Sequence, residues 1–143
     1  MRREPVIGHA EALRAVDTIR AELARREKTG VIAVADAHGE LIALARLDGA
    51  PLSSIAVATN KAFTAARLRR STREHGARIR ERGVDIAYYG DPRYVGFGGG
   101  LPVRIGESVI GAVAVSGLSD DEDEALAALG VAVIVDAAAR AAG

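Results

Sequence analysis

The feature that most constrains the fold is a glycine-rich hairpin at residues 94–117. Its second run, residues 109–115, is apolar on both faces, which is typical of a central strand that is covered on both sides. The short turn Gly106-Glu107-Ser108 separates this run from another β-rich run. Two such runs around a short glycine-containing turn predict an antiparallel β-hairpin.

Three consecutive glycines, Gly98, Gly99 and Gly100, come just before the hairpin. Because glycine has no Cβ, the backbone here can adopt positive φ or can be approached closely by a ligand or another chain. The same glycines could form a bulge that bends an edge strand. The sequence leaves both interpretations open.

The rest of the chain alternates helical and β-type patterns. Apolar positions recur every three or four residues in the segments that predict helices, and Gly30 lies where a helix commonly ends. The expected helices cover residues 9–29, 52–68, 72–82 and about 120–141. Residues 31–37 and 41–47 predict a first β-hairpin, and residues 83–92 are irregular. The order α-β-β-α-α-β-β-β-α predicts a single α+β domain over residues 1–143, with one antiparallel sheet covered by helices.

Composition excludes several classes of function. The chain has no cysteine, so neither a disulfide framework nor a thiolate metal site is available. Its formal net charge is zero, which argues against a general nucleic-acid or membrane binder. No apolar run approaches the roughly 18 residues of a membrane span, and no apolar h-region follows residues 1–5, so we expect neither a membrane span nor a signal peptide. We therefore expect a cytoplasmic protein, and the absence of an HExxH motif predicts no dedicated catalytic metal site.

Lys61 is one of only two lysines, and its neighbours along the chain are mostly apolar. A lysine in apolar surroundings can have a lowered pKa and can act as a base or as a Schiff-base amine. The alternative is a lysine whose ammonium group reaches solvent from a packed helix. We take Lys61 as a catalytic candidate, with Thr64 facing the same pocket between its helix and the glycine hairpin.

Arginines crowd the segment from residue 67 to residue 82. One or two of them, with Arg69 and Arg73 as candidates, could bind a carboxylate, because a guanidinium group meets a carboxylate in a bidentate fork. A small carboxylic-acid substrate, or a larger ligand that carries a carboxylate, would supply that group. The alternative is a solvated helical face that is balanced by the acidic start of the last helix.

The histidines and tyrosines supply candidates for an imidazole that binds a ligand or carries a proton, and for a phenolic acid. Of three histidines, His75 is the best candidate ligand because it follows the helix that bears Lys61; otherwise it lies at the surface like His9 and His38. Tyr88 and Tyr89 are clustered before the glycines, where they could line a pocket, stack on a planar ligand or act as acids.

Several short motifs occur in one order along the chain. They are Asp36-x-x-Gly39, Arg46-x-Asp48-Gly49-Ala50, Lys61-Ala62-Phe63-Thr64-Ala65, Gly98-Gly99-Gly100-x-Pro102, Gly111-x-x-x-Val115-Ser116-Gly117 and Asp123-Glu124-Ala125. From about residue 10 to residue 140 the pattern resembles the GlcG/HbpS family of small haem-binding or haem-degrading proteins. The resemblance implies a profilin-like sandwich with a five-stranded antiparallel sheet flanked by helices, haem as cofactor, and assembly into dimers or larger rings. The chain departs from that pattern at Leu118 and in the tyrosine-containing segment 80–93.

Three functions remain open at this point. The first is a haem-binding or haem-degrading protein, with His75 on the iron and Arg69 or Arg73 on a haem propionate. Gly98, Gly99 and Gly100 would lie beside the ligand. The second is an acid–base isomerase, lyase or cyclase that acts on a small carboxylate-bearing substrate through Lys61, Tyr88 or Tyr89. The third is a non-catalytic homo-oligomeric accessory protein. For all three we expect a homo-oligomer, because the last helix carries apolar residues on most of its circumference.

Overall fold

The computed structural model describes residues 4–142, which form an α+β fold with four helices and four strands. The helices are α1 (His9–Arg25), α2 (Ser53–Leu68), α3 (Thr72–Arg82) and α4 (Asp120–Ala142), and the strands are β1 (Val31–Asp36), β2 (Leu41–Arg46), β3 (Gly100–Ile105) and β4 (Ser108–Ser116). A short 3₁₀ turn, Ile86–Tyr89, follows α3.

The four strands form one antiparallel sheet in the order β2-β1-β4-β3. Strand β4 lies inside the sheet and is buried at every position after Ser108, which confirms the prediction of a central covered strand. It pairs with β1 on one side and with the edge strand β3 on the other.

The expectation of five strands is wrong for residues 4–142, which contain four. Residues 94–97 form no strand. Their backbone is held by helices instead, because Val95 N–H donates to Thr64 Oγ1 of α2 at 3.0 Å and Gly96 packs against Gly76 of α3. A Cβ at Gly76 would lie 2.1 Å from the Gly96 carbonyl oxygen, so the two glycines allow this segment to leave the sheet and cross α3.

Along the central strands, successive side chains point to opposite faces of the sheet, and each face packs against a different layer of helices. Ile32 and Val34 of β1, with Val113 and Val115 of β4, face α1 and α4 in the larger apolar cluster. The intervening positions are alanine or valine and face the alanines of α2 in a second cluster. Small side chains on both surfaces let α2 lie close to the sheet, and that closeness brings Lys61 to β4.

Helix α1 is shorter than predicted, because it ends at Arg25 rather than at residue 29. The N–H of its C-cap residue, Arg26, donates to the Glu22 carbonyl oxygen at 3.1 Å, and the N–H of Glu27 donates to the Ala24 carbonyl oxygen at 3.0 Å, which closes the last turn before Gly30. Helix α4 is long and apolar enough, by length and composition, to cross a membrane. Its inner residues Leu126, Ala127 and Ile134 belong to the core cluster on the sheet, so at least part of this apolar surface is used in the fold.

Candidate functional site

Lys61 lies on the face of α2 that packs against β4 and is almost completely buried. Its Nζ donates one hydrogen bond to the Val115 carbonyl oxygen at 2.9 Å and another to Asp123 Oδ2 at 3.1 Å. Both side chains of the ion pair are 2% exposed. The ammonium group therefore joins α2, β4 and α4 at one point and is almost completely shielded from solvent.

Asp123 is held from both sides in the first turn of α4. Its Oδ1 accepts a hydrogen bond from Leu118 N–H at 3.1 Å, while its own N–H donates to the Ser119 carbonyl oxygen at 2.8 Å. Burial raises the pKa of Asp123 above its ordinary value, and the nearby Lys61 ammonium offsets part of that increase. The carboxylate thus closes the turn between β4 and α4 and balances the lysine.

The three glycines pack against this ion pair. Gly99 has φ +126°, and a Cβ there would lie 2.7 Å from Lys61 Nζ and 2.6 Å from the Val115 carbonyl oxygen. A Cβ at Gly100 would lie 2.7 Å from the Lys61 carbonyl oxygen, and one at Gly98 would lie 3.0 Å from the Asp120 Cβ. The bare backbone allows close approach by side chains and backbone of the same chain, at the point where the edge strand β3 begins.

A cavity of about 270 Å³ opens beside the Lys61–Asp123 pair. Apolar groups from Val57, Phe97 and Leu118 line it, and so do three serines, Ser53, Ser54 and Ser116. Asp120, the first residue of α4, also borders the cavity and accepts a hydrogen bond from Gly98 N–H at 3.0 Å. We call this space the serine cavity.

His75 is a buried polar group on α3, in the same helical layer as Lys61. Its side chain on α3 is fully buried, and neither Nδ1 nor Nε2 has a hydrogen-bond partner among the described residues. The ring makes an edge contact with Tyr89, with ring centres 4.9 Å apart. Burial, and then the charges of Arg70 and Arg78, lower the pKa of His75 below its ordinary value, so the imidazole is neutral at pH 7.

Tyr89 separates His75 from a second cavity, of about 230 Å³, which we call the arginine cavity. Three guanidinium groups line it together with both tyrosines; the lining residues are Arg70, Arg78, Ile79, Arg82, Val84, Tyr88 and Tyr89. Tyr88 is 85% exposed at its rim. Arg78 contacts Glu74 at 3.0 Å, and Arg70 donates to the Leu68 carbonyl oxygen at 3.3 Å.

The other predicted site residues lie elsewhere. Arg69 is exposed with φ +60°, and it donates to the Glu107 carbonyl oxygen at 3.2 Å. Arg73 is paired with Asp121 and, at 2.8 Å, with Glu124. Thr64 is buried and bonds the backbone of residues 93 and 95. The structure therefore divides the predicted pocket into the Lys61 region and the His75 region.

Sequence reasoning did not select Arg70, Arg78 and Arg82, nor the serines of the serine cavity. Arg78 and Arg82 are four residues apart on α3, a spacing that places both on one helix face and could have been used. The pairing of Lys61 with Asp123 joins residues 62 positions apart and has no local sequence signal.

His9 and His38 are exposed, whereas His75 is not. No group of three or more potential metal ligands occurs within residues 4–142.

Comparison with known proteins agrees with the fold and defines the family. The family model described as haem degrading protein HbpS-like matches residues 7–132, and the chain belongs to that family. An uncharacterised 15.0 kDa protein from the dhaT-dhaS intergenic region of Citrobacter freundii is 39% identical over 102 residues, which are 68% of this chain and 70% of that protein.

Solved structures share the whole architecture. The ORFY protein of Klebsiella pneumoniae superposes with a TM-score of 0.84 at 29% identity, covering 94% of each chain. A double mutant of Streptomyces reticuli HbpS also gives 0.84, at 26% identity over 94% of this chain and 90% of that one. PduOC, solved as a heme complex, shares the fold with a TM-score of 0.81 at 23% identity over 91% and 96% of the two chains.

Proposed function

We propose that this protein binds haem and that His75 is the axial ligand of the iron. The observation that carries the proposal is the fully buried imidazole of His75, whose two nitrogens have no hydrogen-bond partner among the described residues. A buried polar group without a partner costs free energy, so its retention requires a reason such as a ligand. Membership of the HbpS-like family and the likeness to HbpS support haem as that ligand.

The residues around His75 suit haem chemically. A neutral imidazole has a free lone pair for iron, and the lowered pKa of His75 keeps it neutral at pH 7. Arg70, Arg78 and Arg82 line the neighbouring cavity, where guanidinium groups would bind the two propionates. Bound haem would supply redox-active iron.

Haem requires more space than the arginine cavity offers, because ligand pockets commonly measure about 300–1,000 Å³ and this one measures about 230 Å³. The 3₁₀ turn Ile86–Tyr89 contains no buried residue, so it is held by few packing contacts. Displacement of Tyr89 would join the cavity to the His75 ring. We therefore propose that Tyr89 moves when haem enters.

Haemin titration tests the proposal. Wild-type protein should give a Soret band that saturates at one haem per chain, and His75→Ala should shift that band or abolish it. His9→Ala and His38→Ala are matched controls, because both histidines are exposed, and they should titrate like wild type. A wild-type spectrum retained in His75→Ala, or lost in His38→Ala, would contradict the assignment of the ligand.

The arginines provide a separate measurement of the same site. Arg78→Gln should weaken haemin binding without moving the Soret maximum, because a propionate contact affects affinity and not iron coordination. Arg20→Gln, which removes an arginine from the exposed surface of α1, should leave the affinity unchanged. A shifted maximum in Arg78→Gln would instead place that arginine close to the iron.

We also propose that the chain forms at least a dimer through the outer face of α4. Between Glu124 and Asp136 this exposed face has no charged residue; it consists of Ala125, Ala128, Leu129, Ala132 and Val135. An uncharged apolar surface of this kind is commonly covered by a partner. Sedimentation should show a dimer or a larger species at micromolar concentration, and Leu129→Glu should shift it towards monomer.

A further inference from the structure

The serine cavity contains two hydroxyl groups that the fold does not use. Ser54 and Ser116 are each 5% exposed, and neither hydroxyl forms a hydrogen bond within residues 4–142. Both residues line the serine cavity, Ser54 from the first turn of α2 and Ser116 from the end of β4. Neither hydroxyl oxygen is enclosed by protein and neither is used by the fold, so both are available to a molecule in the cavity.

The ion pair beneath them leaves further hydrogen-bonding capacity. The ammonium group of Lys61 has three N–H donors, of which Val115 and Asp123 accept two. Lys61 and Asp123 also line the serine cavity. A ligand oxygen that enters between the serines would therefore meet donors from Lys61 and from hydroxyl groups that can either donate or accept.

Charge and apolar surface limit what that ligand can be. The positive charge of Lys61 is balanced by Asp123, and Asp120 adds a second carboxylate to the lining, so the cavity disfavours carboxylates and phosphates. Phe97, which is 59% exposed, Val57 and Leu118 provide apolar surface for a carbon skeleton. The volume of about 270 Å³ admits a compound of modest size.

We propose that the serine cavity is a second binding site, independent of haem, for a small neutral compound with adjacent hydroxyl or carbonyl oxygens on an apolar skeleton. The polar side of the ligand meets Ser54, Ser116 and the third N–H of Lys61. Its apolar side packs against Phe97. Discrimination against anions follows from the two carboxylates, because a desolvated like charge is costly.

Titration with cis-1,2-cyclohexanediol, followed by amide chemical shifts in haem-free protein, tests this site. The shifts should concentrate at residues 53–57 and 115–120 and should saturate. Ser54→Ala and Ser116→Ala should each weaken binding about fivefold, the effect of one lost hydrogen bond of about 1 kcal/mol. Ser108→Ala is the matched control on the same strand, because its hydroxyl bonds Glu4 outside the cavity, and it should bind the diol like wild type.

Selectivity and independence from haem complete the test. Cyclohexanecarboxylate, which has a similar skeleton with an anionic group, should bind at least about tenfold more weakly, equivalent to about 1.4 kcal/mol. His75→Ala should bind the diol like wild type. The diol site is therefore tested separately from haem binding, and the absence of haem binding would not contradict it. Unlocalised shifts, equal binding by both serine variants and wild type, or equal binding of the carboxylate would overturn it.

Discussion

Lys61 and His75 are both buried in the helical layer, and they differ in what surrounds them. Lys61 has an acidic partner, a backbone acceptor and bare glycine backbone packed against it. His75 is equally buried, yet both of its ring nitrogens are unpartnered among the described residues. A charge with built-in partners contributes to the fold, whereas a buried group without them lowers the stability of the ligand-free protein. We therefore expect Lys61 to contribute more to stability than His75, and the unpartnered imidazole is the reason that a ligand is proposed at His75.

The largest expected effect concerns Lys61. Lys61→Met should lower the free energy of unfolding by about 3–5 kcal/mol, because it leaves Asp123 buried without its counter-charge. Urea denaturation measures the change. Lys28→Met is the matched control, since Lys28 is the other lysine and its pair with Glu122 is partly exposed; it should cost no more than about 1 kcal/mol. If the two variants lose similar free energies of unfolding, the buried pair contributes no more to stability than the partly exposed one.

The glycines beside Lys61 should show the next largest effect. Gly99→Ala should cost about 3 kcal/mol, because positive φ strains alanine and the new Cβ would meet Lys61 Nζ and the Val115 carbonyl oxygen. Gly106→Ala carries only the conformational strain, since its φ is +61° and no atom lies within 4 Å of the added Cβ; it should cost about 1–2 kcal/mol. If the two variants lose the same free energy of unfolding, the atoms around Gly99 must shift to accommodate the new Cβ.

These residues also show how far the sequence could predict the structure. The apolar run at residues 109–115 identified the central strand because its pattern is local and continuous. The role of Gly98, Gly99 and Gly100 was left open because the groups that approach them come from α2 and α4, far away in the chain. The fifth strand was predicted wrongly because Thr64 and Gly76 hold residues 95 and 96 away from the sheet. Such contacts depend on tertiary packing, which the spacing of apolar residues along the sequence does not predict.

The candidate site was predictable by residue type more than by arrangement. His75 was selected for its chemistry, although its burial could not be deduced from a helix with many arginines. Arg69 and Arg73 were selected over Arg70 and Arg78 because the sequence does not show that Arg73 pairs with Asp121 and Glu124 of α4. Arg69 and Arg70 are adjacent residues between α2 and α3, whereas Arg73 and Arg78 both lie on α3. Their directions follow from how α3 packs on the sheet and on α4, which only the fold determines.

His75 should respond to substitution in the direction opposite to Lys61. His75→Leu removes two unpartnered polar atoms from a buried position and places a better helix former in α3. In haem-free protein we expect the free energy of unfolding to rise by about 1 kcal/mol or to stay unchanged. Calorimetric or denaturant unfolding measures it. A loss of more than about 1 kcal/mol would indicate that the imidazole has a stabilising partner, such as bound water.

The smallest effect is a pH dependence that belongs to His75 alone. Its pKa in the folded protein is lowered, by burial first and then by Arg70 and Arg78, while in the unfolded chain it is near the ordinary value of about 6.5. As the pH falls below that value, the unfolded chain binds a proton that the folded protein does not, so the free energy of unfolding decreases. The decrease attributable to His75 should stay below about 1 kcal/mol at pH 6. At lower pH it should approach a slope of at most about 1.4 kcal/mol per pH unit.

The difference in free energy of unfolding between haem-free His75→Leu and wild type should therefore grow between pH 7 and pH 5. His38→Gln, at an exposed turn, should follow wild type. A constant difference across this range would show that His75 takes up its proton as readily in the folded protein as in the unfolded chain, and that a buried, unpartnered imidazole is the wrong description of the site.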